Sequence, residues 1–248
     1  MSGHHSPLAQ FVVEPLVSIP VNGVGGLGLS FTNASLFMVL AISCVIALLF
    51  LTTTKKAIVP GRWQSVSEMM YQFVAGVVKD NVGDQGKKYF PFVFTLFTFV
   101  LFCNLLGLMP YYSFTVTSHI IVTFALAMLV FLAVTIIGFA RHGLHFFSLF
   151  LPAGTPWWMA PLMFFIELFA YLARPVSLSV RLAANMLAGH TMLKVIAGFV
   201  LSLGLIGGWL PFAFLMVLSG FEIFVAVLQA YIFTVLTCVY LNDAIHLH

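Results

Sequence analysis

Runs of about 20 apolar residues, the length that crosses a bilayer as helix, recur along this chain at 31–52, 90–110 and 119–140, and then almost without interruption from 157 to 240. Few folds are open to such a polypeptide. In hydrocarbon every backbone N–H and C=O must be satisfied within the protein, which leaves helices and closed barrels. Barrel strands alternate apolar and polar residues over segments of about ten, and these runs do not alternate. The chain is therefore predicted to be an all-α integral membrane protein. Its composition agrees: 62% of the 248 residues are hydrophobic and 7% charged, against roughly 25% charged in an ordinary soluble domain.

The remaining charges are unevenly placed. Lys55, Lys56, Arg62, Lys79, Lys87 and Lys88 fall between the first two runs, whereas the segment before the first run has only Glu14 and two histidines. The positive-inside bias puts the basic link on the cytoplasmic side, or the equivalent side of an organelle membrane. The N-terminus and the 111–118 link are then outside, Arg141 and His142 inside, and an odd number of crossings leaves the C-terminus inside. On this reading residues 1–30 form an external segment without a cleavable signal, and 31–248 form a single membrane domain. The cytoplasmic link 53–88 carries "WQSVSEMMYQFVAGVVKD", whose stripe through Met69, Phe73 and Val77 predicts an amphipathic helix along the interface. "LPAGTPWWMAPL" at 151–162 reads as a turn anchored at a membrane surface.

Several function classes are excluded. The net charge of +3 comes with no basic run of the kind that binds nucleic acid. Cys44, Cys103 and Cys238 all fall in apolar runs, with no metal-ligand spacing, so packed thiols are expected rather than a metal site or disulfides. No phosphate-binding loop occurs, and no cofactor is expected.

From 157 to 248 the pattern changes to two apolar segments of roughly 40 residues, divided by "LGLIGGWLP" at 203–211. Forty helical residues measure about 60 Å, twice the hydrocarbon thickness, so these helices must tilt strongly, bend or break. Inverted or repeated halves, common in secondary transporters, are not found.

Inside these segments lie charges that cost free energy. An arginine at bilayer depth costs roughly 2.5–3.5 kcal/mol on insertion scales, yet "SVRLAANMLAGH" at 179–190 contains Arg181. Glu167, Arg174 and Arg181 are spaced seven apart, within about 20° of two whole turns, so they share one stripe. Ser177 and Asn185 flank Arg181 at four residues either side, while His190, nine steps on, faces elsewhere. Glu222 and Gln229 are again seven apart. One such polar residue is ordinarily an interhelical hydrogen bond. Two arginines on one stripe point instead to an ion path, although Arg174, just before Pro175, reads as structural. Arginine keeps its proton, so Arg181 is a permanent positive charge; His190 and Glu222 are of the types that relay protons.

"RPVSLSVRLAANMLAGH" at 174–190, followed by "EIFVAVLQAYIFTVLTCVYL" at 222–241, closely resembles the two signature segments of subunit a of the F-type ATP synthase. The resemblance continues more loosely through "FCNLLGLMPY" at 102–111. It implies that the two long helices form a tilted hairpin against a ring of c subunits, beside upright transmembrane helices. It implies further that Arg181 is the essential arginine facing a ring carboxylate. Asn185 and Gln229 match polar residues near it, and Glu167, Ser177 and Asn104 match positions of the aqueous half-channels. Many bacterial members have glutamate at 190 and histidine at 222; here the two are exchanged, as in mitochondrial members. Either side chain can then meet the proton first.

The implied function is the stator half of a proton channel coupled to ring rotation, with no enzymatic activity of its own and ATP chemistry on partner subunits. Implied partners are the c ring, the b-type subunits of a peripheral stalk, other ATP synthase subunits and membrane lipid. The implied location is the bacterial inner membrane or, alternatively, the mitochondrial inner membrane. The ion-binding carboxylate lies on the ring, which leaves H⁺ and Na⁺ coupling both open. Two other readings compete: an independent channel or transporter, which should conduct when reconstituted alone, and an insertase-like protein, which should not need Arg181 for proton flux.

Overall fold

The computed structural model describes residues 15–18, 30–53, 61–109, 115–150 and 158–246. Two short strands, β1 (Pro15–Ser18) and β2 (Ser30–Thr32), precede six helices: α1 (Asn33–Thr53), α2 (Arg62–Val82), α3 (Phe90–Gly107), α4 (Ile120–His142), α5 (Ala160–Gly207) and α6 (Trp209–Ile245). Short 3₁₀ stretches cover Asp84–Tyr89, Val116–Ser118 and Gly143–Phe150. Five segments are long and apolar enough to cross a membrane: Asn33–Thr52, Asp84–Gly107, Ile120–His142, Ala160–Gly204 and Trp209–Ile245. This is the all-α, multi-pass membrane architecture that the apolar runs predict, with a small antiparallel strand pair added at the start, where Ser18 lies opposite Ser30. Most of the expected external segment 1–30 and the turn at 151–157 lie outside the described residues.

Local chemistry explains where the helices begin and end. At the head of α1 the Thr32 N–H donates to Ser35 Oγ at 2.8 Å while the Ser35 N–H turns back to Thr32 Oγ1 at 3.4 Å, a reciprocal cap that serves two otherwise orphaned donors. In α5, Pro175 sits inside the helix without ending it; the break comes at Gly204, with φ 64°, a conformation in which a Cβ would be strained. The Gly208 N–H then bonds back to the Gly204 carbonyl at 2.9 Å and α6 begins. The last two membrane segments have 45 and 37 residues, about 68 and 56 Å of helix, so neither fits upright in a hydrocarbon core of about 30 Å.

Contacts divide the chain into two compact units. One comprises residues 1–67, 98–119 and 183–230, and holds the buried Asn104, Met186, His190, Glu222, Ala226 and Gln229. Gly107 and Thr115 approach closely in it: a Cβ on Gly107 would run into the Thr115 side chain.

The other unit comprises residues 68–97, 120–182 and 231–248. Phe146, Phe150 and Tyr171 form its core, with Phe131, Phe164 and Leu168 against them. Gly138 lets the Phe146 ring lie on α4, since a Cβ there would occupy the ring's place. From α2 this unit takes the buried Val74, Val77, Val78 and Val82. Met69 and Phe73, which the predicted amphipathic stripe places with Val77, are exposed at 70% and 45%; the face packed within the protein is the valine face. Arg141 Nη1 donates to Gln85 Oε1 at 2.6 Å, and His142 Nε2 donates to the Ile245 carbonyl at 3.1 Å. The His142 bond ties the end of α4 to the end of α6.

Candidate functional site

The groups most costly to bury are on α5 and α6 in the first unit. His190 Nδ1 and Glu222 Oε1 approach to 3.7 Å, with side chains 5% and 7% exposed. That is beyond hydrogen-bond length, but a shift well under an ångström would make one. Neither Glu222 oxygen nor His190 Nε2 has a hydrogen-bond partner among the described residues. A buried polar group left this way costs about 1–3 kcal/mol, so the placement calls for an explanation outside packing. The local sequence makes the seat: a Cβ on Gly189 would lie 2.6 Å from Glu222 Oε1, so the residue before His190 must be small for the carboxyl to fit.

Two cavities meet at this carboxyl. One, of about 300 Å³, is lined by His190, Lys194, Ser219 and Glu222 together with Gly107 and Met109 at the end of α3. The second, of about 190 Å³, is lined by Asn185, Gly189, Phe221 and Glu222 among others. Glu222 thus belongs to both walls, whereas of these two cavities His190 lines the first and Asn185 the second.

Asn104 behaves differently. It is fully buried, donates from Nδ2 to the Ala226 carbonyl at 3.2 Å, and accepts from Thr117 Oγ1 at 2.9 Å. It is a strut joining α3, the 115–118 stretch and α6. Gln229, three residues past Ala226 and 3% exposed, has an Nε2 without a partner among the described residues.

In the second unit the two arginines of α5 part company. Arg174 Nη1 is 2.9 Å from Asp243 Oδ2, and its guanidinium lies 5.3 Å from the Tyr171 ring centre and 5.0 Å from that of Tyr240. Arg181 is exposed and makes no hydrogen bond or ion pair among the described residues. Glu167 is half-buried and Ser177 exposed on the same helix. Reading the sequence missed Asp243 and Lys194. Both were within reach: Asp243 extends the heptad stripe of Glu222 and Gln229 by two steps, and Lys194 is one turn beyond His190. Among the described residues no group of three His, Cys, Asp or Glu is placed to hold a metal ion, and Cys44, Cys103 and Cys238 are free thiols.

The site holds a buried acid that lines two cavities and an imidazole beside it, side chains of the types that can take up and release a proton. Comparison with known proteins identifies the family. The ATP synthase A chain family matches residues 35–242. This chain belongs to that family. Two Rhodospirillum rubrum proteins named "ATP synthase subunit a" are each 57% identical to it over 244 residues, covering 98% of this chain and 100% of their own length. The matched A chain region includes every site residue discussed above, from Asn104 to Gln229, and ends one residue short of Asp243.

Proposed function

We propose that this chain is the stator half of the proton pathway of a rotary ATP synthase, carrying protons to and from a carboxylate on a turning ring of c subunits. The observation that carries the reading is that Glu222 lines both cavities, with His190 beside it and no competing hydrogen bond among the described residues. Protons reach the larger cavity from the side at which α3 ends, which the positive-inside bias makes external. They pass to the Glu222–His190 pair, which titrates as a unit so that neither pKa belongs to one residue. From there the smaller cavity leads toward Asn185, one helical turn from Arg181.

Arg181 then faces the ring. A guanidinium with no hydrogen bond or ion pair among the described residues attracts an ionised ring carboxylate, holds it until a proton arrives, and blocks direct proton passage between inlet and outlet, because it cannot itself give up a proton. The cost of burying it is offset by that carboxylate of another chain. Glu167 and Ser177 belong to the outlet half-channel, and Gln229 offers its amide toward the ring-side path. The chain does no ATP chemistry itself; that belongs to partner subunits, held to it by b-type subunits of a peripheral stalk. The bacterial relatives support placement in a bacterial inner membrane.

The inlet is tested by water access. With native cysteines replaced, silver ion applied from the external side should block ATP-driven proton pumping by complexes carrying Ser219→Cys. It should spare those carrying Leu201→Cys, which is 83% exposed on an apolar surface. Equal sensitivity of the two would remove the inlet.

A further inference from the structure

Lys194 lines the larger cavity together with His190, Ser219 and Glu222, and the proton route above makes no use of it. The titratable groups of that lining are His190, Lys194 and Glu222; Ser219 adds a hydroxyl, three residues before Glu222 on α6. With Glu222 ionised and His190 neutral, the charges of the lining cancel. Without Lys194 they would leave a net negative cavity with two unpartnered carboxylate oxygens and a hydroxyl nearby. Hard metal cations seek oxygen donors of this kind. With Lys194 present, a metal cation entering the cavity makes its net charge positive, in surroundings where like charges repel several times more strongly than in water. A proton is not subject to the same exclusion, because it binds covalently to one oxygen or ring nitrogen and needs no shell of ligands.

We propose that Lys194 is a specificity-determining residue of the inlet, its fixed ammonium keeping monovalent metal cations off Glu222 and leaving that carboxylate to protons. This rests on the reading of the larger cavity as the proton inlet. The competing explanation is that Lys194 only extends its ammonium to lipid headgroups, as lysines near membrane surfaces do; it would then have no influence on which ion occupies the cavity.

The test uses the whole ATP synthase reconstituted in liposomes with its catalytic head outward, so that the inlet faces the lumen. ATP synthesis is driven by an imposed pH difference and potential, with sodium chloride or choline chloride in the lumen at equal ionic strength, and the ratio of the two initial rates is read. The ratio should be near one for the unaltered complex and for Lys194→Arg. For Lys194→Gln it should fall about tenfold, the scale of losing one unit charge a few ångström away in a partly buried site, and recover as the lumen is acidified and protons compete. Lys194→Glu should fall further. A ratio that stays near one in Lys194→Gln overturns the proposal, and so does an equal loss of rate in both salts for Lys194→Gln and Lys194→Arg, which would mark a packing or anchoring role. Failure of the inlet reading is distinguishable: gradient-driven synthesis would then be unaffected by Glu222→Gln in choline.

Discussion

Arg174 and Arg181 stand two turns apart on one stripe of α5, yet their surroundings are opposite. Arg174 has a carboxylate at 2.9 Å and tyrosine rings on its flanks; Arg181 is exposed, with no hydrogen bond or ion pair among the described residues. An arginine whose charge is cancelled within its own chain fastens helices together. One whose charge is left open is completed by something else, and in an apolar protein that something must itself be charged. On the proposed reading it is this contrast, more than either residue's type, that picks out Arg181 as the functional one.

The strongest way to break this contrast is to remove the open charge. In the assembled complex, Arg181→Ala should lower ATP-driven proton pumping by about a hundredfold or more, the scale on which loss of one preorganised electrostatic group acts, while the chain remains inserted. Arg181→Lys should also be severely defective, because the ammonium lacks the planar fork. Pumping near the unaltered rate in either would end the assignment. A smaller effect is expected at the inlet: His190→Ala and Glu222→Ala should each slow flux by roughly tenfold, below the general acid–base scale because the surviving partner still titrates. The double exchange His190→Glu with Glu222→His should recover more flux than either half alone; recovery no better than the worse half would show that the two do not act as a pair.

The smallest effect on flux is expected at the closed charge. Arg174→Ala leaves Asp243 half-buried without its counter-charge, which should cost about 1–3 kcal/mol of stability in detergent, between the values for exposed and fully buried pairs. Complexes that stay assembled should still pump. Asp243→Ala should cost a similar amount, and the double change less than the sum. Loss of pumping in assembled, thermally normal Arg174→Ala complexes would erase the distinction between the two arginines.

The membrane spans were legible because about 20 apolar residues can do little else in a bilayer, and Arg181 because an arginine there is costly enough to be conspicuous. The inward face of α2 was not. Lipid satisfies Met69 and Phe73 as well as protein would, so an apolar stripe alone does not say which side packs. Asn104 resembled a channel residue by its position in "FCNLLGLMPY", but its partners, Thr117 and the Ala226 carbonyl, could not be read from the sequence, since the second is 122 positions away. The pairing of Arg174 was hidden for the same reason: Asp243 lies 69 positions on, and only tertiary structure closes that distance.

The bonds at the end of α6 have a mechanical meaning. Asp243 holds α6 to α5, and two residues later the Ile245 carbonyl holds it to His142 of α4. Arg141, next to His142, is in turn moored to Gln85 before α3. In the proposed stator role the chain is pushed sideways by a turning ring, and a single tie would carry the whole thrust. Here α6 is moored to two neighbours at nearly the same height, so the ties are loaded in parallel and share the thrust, and one of those neighbours is anchored again beyond it. The end of the helix farthest along the chain, which would otherwise fray first, is braced like the foot of a mast.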